Sequence, residues 1–458
     1  MPSFVQRSEI EVAPRELHDW HMRPGAFERL TPAWAGLRRV ACPPSIEHGG
    51  RVRLELRFGP LRLAWHSRYE VDLGHEFRDV LERGPMKRWI HAHRFLDAPH
   101  GGALLEDAID YELPFGALGR LVARRRVERH LERLFAHRHA VTRADLERHA
   151  ARRNAAPLRV ALSGSTGLVG SALASFLTTG AHTVHPLVRR APRPGTREIG
   201  LDPATDRTDA SGLAQCDAVV HLAGESIAAG RWTAAKKRRI RDSRVEGTRR
   251  LCEALAALPR PPRVLVSASA IGFYGERGDE RLDEESMPGE GFLSDTCRSW
   301  EAATEPAEQA GIRVVRLRLG VVLAAGGGAL ARMLGAFSCG IGGRVGGGRQ
   351  WMSWIALDDV VGAIHFVLFE PTLTGPVNLV APEAARNAAF TETLARVLRR
   401  PAVLPLPAPL VRAALGEMGQ DLLLASTRVE PRKLAAAGFR FAHPSLENAL
   451  RFELGVPG

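Results

Sequence analysis

Lysine, tyrosine and cysteine are scarce in this 458-residue chain, and each scarcity excludes something. Only Lys87, Lys236, Lys237 and Lys433 carry an ammonium among the 63 basic residues, and Tyr69, Tyr111 and Tyr274 are the three phenols. The residues four before those lysines are Arg83, Trp232, Thr233 and Val429, so no Tyr-x-x-x-Lys pair exists anywhere in the chain. The five cysteines, Cys42, Cys216, Cys252, Cys297 and Cys339, are odd in number, far apart and free of any Cys-x-x-Cys pair. Neither a disulfide framework nor a zinc ribbon is indicated. No long uninterrupted apolar run is present either. The best candidate, "GVVLAAGGGALARMLGAF" from Gly320, is broken by Arg332 and by glycines and is not a membrane span. The opening "MPSFVQRSEIEV" lacks the apolar stretch of a signal peptide, so a cytoplasmic setting is expected.

What is abundant is arginine, which takes the net charge to +12. The densest runs, "KKRRIRDSR" from Lys236 and "ARRRVER" from Ala123, sit in helical patterns with acids nearby and read as solvated helix faces. No nucleic-acid partner is expected. Length points to more than one domain.

From Arg51, "RVRLELRF" alternates, with Val52, Leu54, Leu56 and Phe58 facing one way, the pattern of a strand with one buried face. "LRLAWHSRYEV", "KRWIHAHRFL" and "ALLEDAIDYEL" continue it, and a long Arg/Leu/Ala helix runs from about Gly116 to His149. His91 and His93 share a strand face and His66 lies on a neighbouring strand. No carboxylate or cysteine completes that set at a recognisable spacing, so no metal is expected. "HAARRNAAP" then joins this domain, 1–150, to the next one through a linker at 151–157.

"LRVALSG" reads as a buried strand, "STG" as a turn and "LVGSALASFLTTG" as a helix stopped by Gly180. Gly164, Gly167 and Gly170 permit the tight turn and close backbone approach that a pyrophosphate needs, and the helix N-terminus adds unpaired N–H groups. The cofactor cradle is therefore Gly164, Ser165, Thr166, Gly167, Leu168, Val169 and Gly170. About twenty residues on, Arg189 and Arg190 end the next strand. Arginine there suits the 2′-phosphate of NADP, where an acid would suit NAD, which is the second possibility. Leu222, Ala223 and Gly224 in "VVHLAGE" end a further strand beside the cradle, and Glu225 comes next as an acid/base candidate. Alternating strands and helices make this an α/β, Rossmann-like doubly wound parallel sheet.

Two resemblances rest on these strings. "WHMRPGAFERLTP" and "GPMKRWIHAHRF", over about residues 3–148, resemble the START-like, or SRPBCC, ligand-binding family. That resemblance implies an α+β helix-grip domain with an apolar cavity between sheet and helix, and so an apolar ligand. "GSTGLVG", "VVHLAGESI", "RWTAAKKRRIRDSR", "SASAIGFYG", "RLRLGVVLAAGGGAL" and "GGGRQWMSWIALDDVVGAI" resemble the atypical extended short-chain dehydrogenase/reductases labelled as nucleoside-diphosphate-sugar epimerases. The resemblance places an NADP-binding domain at 158–400. It also implies a small C-terminal α/β extension at 401–458, similar to the family's terminal domain of unknown function.

Typical members of the wider superfamily use a serine with the Tyr-x-x-x-Lys pair. Ser269 matches the serine, whereas Leu293 and Cys297 fall on the two positions of the pair, so the standard mechanism is excluded. Tyr274 is the replacement proton donor to consider, and Cys297 is expected to be a buried helix thiol. "GGRVGGGRQWMSWI" is expected as a substrate-side loop offering Arg349, Trp351 and Trp354, or as a loop whose tryptophans cap the core; Asp358 or Asp359 is expected to cap the helix after it. The leading function is an NADP-dependent oxidoreductase or epimerase-like enzyme for a small hydroxyl or carbonyl substrate. The alternative is a non-catalytic NADP-binding sensor or scaffold coupled to the START-like domain.

Overall fold

The computed structural model describes residues 3–42, 46–59, 61–72, 76–202 and 207–457. The chain divides into two compact units: Met1–Ala156 with Ser175–Ala181 and Leu454–Pro457, and Pro157–Ala174 with His182–Glu453.

In the first unit, strands β1 (Ser3–Ile10), β2 (Leu37–Ala41), β3 (Arg51–Phe58), β4 (Leu61–Asp72), β5 (Glu76–Arg83), β6 (Arg88–Asp97) and β7 (Ala103–Glu112) form an antiparallel sheet in the order β1-β7-β6-β5-β4-β3-β2. Helix α1 (Pro14–Met22) follows β1, and the 35-residue α2 (Gly116–Ala150) follows β7. Val52 and Leu54 are buried and Leu56 is half-buried, whereas the side chain of Phe58 lies outside the described residues. β1 is an element that periodicity does not reveal, because its half-buried face mixes Phe4 with Gln6 and Ser8. It pairs with β7 residue by residue, from Ser3 opposite Asp110 to Ile10 opposite Ala103. The core gathers Leu17, Trp20, Trp65, Tyr69, Phe77, Phe95 and Leu105, and α2 adds Leu131, Leu134, Phe135 and Leu146. His66 lies between buried Trp65 and Ser67, so β4 turns it to the face opposite theirs.

The second unit begins with β8 (Arg159–Ser163), α3 (Leu168–Thr179), β9 (Thr183–Val188), β10 (Ile199–Asp202) and β11 (Ala218–His221). It continues through α4 (Ala234–Ala256), β12 (Val264–Ala270), α5 (Phe292–Ala302), β13 (Arg313–Leu319), α6 (Leu357–Phe369) and β14 (Gly375–Leu379). The strands lie in the order β10-β9-β8-β11-β12-β13-β14 and are all parallel, with the short strand Arg207–Thr208 antiparallel at the β10 edge. β11 is buried throughout and β12 in its first six residues, the mark of central strands covered on both faces. The chain leaves β8 in one direction to β9 and returns on the other side to β11. The crevice beyond the carboxyl ends of β8 and β11 is therefore the switch point where such sheets bind ligands.

Two expectations need revision. "GGRVGGGRQWMSWI" is not wholly a loop, since Trp351–Met352 and Trp354–Ala356 are strands, and Trp354 is a core residue. α6 has Ala356 at its N-cap with no side-chain cap; Asp358 and Asp359 sit too far into the helix for that task. Asp359 instead accepts hydrogen bonds from the backbone N–H groups of Ala442 (2.7 Å) and His443 (3.0 Å), pinning the C-terminal segment. That segment also adds Arg428–Val429 beside Arg281–Leu282 as a parallel two-stranded sheet. Among the described residues no helix is long and apolar enough to cross a membrane.

Candidate functional site

The turn between β8 and α3 is built from contacts only glycine permits. Gly164 has φ of +68°, and a Cβ on it would stand 2.9 Å from the Leu222 carbonyl carbon and 3.0 Å from the Ala223 nitrogen. A Cβ on Gly170 would collide with the Gly164 carbonyl oxygen, which already accepts the Gly167 N–H at 2.9 Å. Ser165 is half-buried, Thr166 and Gly167 are exposed, and Leu168 and Val169 open the twelve-residue α3. The positive end of this helix thus stands at the switch point with exposed backbone ahead of it. Opposite it, Ser163 Oγ accepts the N–H groups of Leu222 (3.0 Å) and Ala223 (3.2 Å), tying the end of β11 to β8. Gly224 approaches the Arg244 guanidinium, which donates to the Glu225 carbonyl at 2.9 Å. At the end of β9 both Arg189 and Arg190 are exposed, and Arg190 and Arg193 grip the Glu198 carboxylate between them.

His221 lies under this cradle. Its Nδ1 is 2.7 Å from Ser163 Oγ, and burial pushes the imidazole down to about 4 from an ordinary 6.5. Between those values an unfolded chain takes up a proton that the folded chain refuses. Stability of the second unit, fully present above about pH 6.5, is expected to fall by up to about 3 kcal/mol as the pH drops to 4. Urea titrations at several pH values check this, and His221→Asn is expected to flatten the loss; an unchanged slope in the variant contradicts the assignment.

Beyond β12 a second cluster forms. Ser269, one residue from the strand end, is buried and donates to Glu301 Oε1 at 2.7 Å. Arg318 stands directly across from Ser269 in the register of β12 and β13, and its fork grips both oxygens of Glu301 at 2.8 and 2.9 Å. Its Nη1 donates to the Tyr274 hydroxyl at 2.9 Å. That hydroxyl lies 2.7 Å from Asn378 Oδ1 and 2.8 Å from the Asp283 carbonyl. Tyr274 has no exposed surface, and burial pushes its phenol up to about 12. It is therefore a protonated, fully engaged member of the cluster.

Glu225 is held apart from these groups. Its carboxylate accepts from Lys236 Nζ at 2.6 Å, and that hydrogen bond keeps it below the usual carboxylate range. Cys297 is buried, and burial pushes its thiol up to about 12. Leu293 and Cys297 pack beside Gly272, and Glu301 comes one turn later on the same face of α5. Glu301 and Arg318 are the members that sequence reasoning missed. The four-residue spacing of Leu293, Cys297 and Glu301 was the available signal for the first, while only strand register reveals the second. Trp351 is half-buried between the guanidinium groups of Arg386 and Arg428, and its Nε1 donates to Asp279 at 2.6 Å.

A glycine-built strand–turn–helix at the switch point of a parallel sheet defines a doubly wound, nucleotide-binding type of α/β protein. The model of the NAD dependent epimerase/dehydratase family matches residues 160–379, and a domain of unknown function, DUF1731, matches residues 406–453. Epimerase family protein Mb2239 of Mycobacterium bovis is 45% identical over 299 residues, 65% of this chain and 98% of the relative. The chain belongs to the epimerase family. The crystal structure of the nucleoside-diphosphate sugar epimerase from Corynebacterium glutamicum is similar over 99% of this chain and 90% of its own, with 34% identity and a TM-score of 0.81. That of human epimerase family protein SDR39U1 with NADPH covers 65% of this chain and 99% of its own, with 34% identity and a TM-score of 0.59.

Proposed function

We propose that the second unit binds NADP(H) and acts as an oxidoreductase or epimerase-like enzyme on a small hydroxyl or carbonyl compound. The observation that carries this reading is the Gly164–Gly170 cradle. Its backbone is too close-packed for any side chain at two positions, yet Thr166 and Gly167 are exposed at the positive end of α3. Those residues fit a pyrophosphate, and the NADPH in the human relative's structure supports the same choice. Exposed Arg189 and Arg190 suit the extra phosphate, which would compete with Glu198 for the Arg190 guanidinium.

Bound there, the nicotinamide supplies the acceptance or return of a hydride. The protein's own part is proton handling and orientation at the end of β12. Ser269 presents a hydroxyl whose proton is directed to Glu301, so a substrate oxygen bonded to Ser269 Oγ is linked through it to a carboxylate. Arg318 holds that carboxylate in place. Ser269 takes the role of orienting the substrate oxygen, and Glu301 that of accepting or returning its proton. Tyr274 positions Arg318, and Glu225 anchors α4 through Lys236. The lack of a Tyr-x-x-x-Lys pair is the one observation that favours a sensor without turnover.

The first unit fits a START-like helix-grip domain, with a seven-stranded antiparallel sheet and a 35-residue helix, and an apolar ligand is its expected occupant. Calorimetry with NADPH and NADH, followed by the nicotinamide absorbance with carbonyl substrates, tests the whole reading. NADPH is expected to bind at least tenfold more tightly than NADH. Ser269→Ala is expected to lower kcat about 100-fold with little change in NADPH affinity, in line with the usual weight of a lost general acid–base link. Binding of neither dinucleotide overturns the proposal, and binding without turnover moves it to the sensor.

A further inference from the structure

The interior of the first unit contains a polar cluster that no apolar-ligand reading uses. Strand alternation puts His91 and His93 on one face of β6, and the β6–β7 register sets Asp107 directly opposite His93. His139 arrives from α2. All four side chains are almost entirely buried. Asp107 Oδ1 is 2.8 Å from His91 Nε2 and 2.6 Å from His93 Nδ1, while Oδ2 is 2.7 Å from His139 Nε2. The His93 contact does not complete a hydrogen bond, which leaves a buried ring nitrogen facing the carboxylate without a partner of proper geometry. A buried ring nitrogen left in that state costs free energy unless something satisfies it.

We infer that His91, His93 and Asp107 form a binding site for a divalent transition-metal ion of the zinc type, with His139 as a fourth ligand or as the group that orients Asp107. One ligand atom from each of His91, His93 and Asp107 lies within 4.8 Å of the other two. Ligands around a tetrahedral ion at about 2.1 Å stand roughly 3.4 Å apart, so small ring rotations open the space required. Nitrogen and oxygen donors without thiolate suit Zn²⁺ and its first-row neighbours. The surroundings hold the rings as a metal site requires. His93 stacks on Phe77 with centroids 4.2 Å apart, His91 meets the Phe135 edge at 5.1 Å, and His139 Nδ1 pairs with Ser8 Oγ at 2.9 Å. The sequence hides the site because its carboxylate comes from another strand, and His66, the third histidine one would group with them, faces away.

The full chain, dialysed against EDTA and then free of chelator, is titrated with Zn²⁺ by calorimetry and with Co²⁺ by visible absorption. One equivalent of Zn²⁺ with submicromolar Kd is expected, together with Co²⁺ d–d bands of a four- or five-coordinate nitrogen/oxygen site. His93→Gln and Asp107→Asn are each expected to weaken Zn²⁺ binding at least 100-fold, while His66→Gln leaves it unchanged. Less than one equivalent in the wild-type chain, or one equivalent that persists in a folded His93→Gln chain, overturns the inference. Should both variants fail to fold, the wild-type Co²⁺ spectrum decides, and the absence of ligand-field bands overturns it.

Discussion

The Gly170→Val chain is expected to bind NADPH about 10- to 100-fold more weakly than the unaltered protein in calorimetry, with its circular dichroism unchanged. A Cβ at residue 170 runs into the Gly164 carbonyl oxygen. Both groups are backbone, so no rotamer relieves the contact and the turn itself must open. Opening moves Ser165, Thr166 and Gly167, the backbone ahead of α3 against which the proposed pyrophosphate would lie. Overpacking of this kind costs about 1–3 kcal/mol, and about 2.7 kcal/mol is a factor of about 100 in affinity. Gly247→Ala is the control, because a Cβ at that α4 position meets nothing within 4 Å. An affinity for NADPH within threefold of wild type in Gly170→Val would show that the cradle does not hold the pyrophosphate.

Replacing Arg318 with methionine is expected to cost the second unit about 3–5 kcal/mol of stability, read from urea unfolding. Arg318 and Glu301 have side chains only 4% and 12% exposed. Removing one partner of such a pair leaves the other charge buried and uncompensated. The loss extends further, since the same guanidinium serves the Tyr274 hydroxyl and lies 3.5 Å from the centroid of the Phe273 ring. The double variant Arg318→Met with Glu301→Gln is expected to recover a large part of the loss, because no bare carboxylate remains. A single variant within about 1 kcal/mol of wild type would mean that water reaches Glu301 and solvates it.

The glycine turn between β8 and α3 could be read from residues alone because it is local. A buried strand, a three-glycine turn and a helix start all fall between Arg159 and Thr179, and neighbours in the chain suffice to specify them. The same holds for the missing Tyr-x-x-x-Lys pair, for the alternation that marks β3 and for the apolar runs of the parallel strands. Tertiary structure alone decided the groups whose partners lie far away along the chain. Ser269 reaches Glu301 across 32 residues, Arg318 meets Ser269 through strand register, and Asp107 faces His93 across an antiparallel pair. It also turned Trp354 into core and Asp359 into an anchor for the C-terminal segment. The physical reason is that periodicity records which face of an element is buried. What that face meets depends on register and packing among elements distant in sequence, and a charge leaves no trace in the sequence of which opposite charge or hydroxyl will stand beside it.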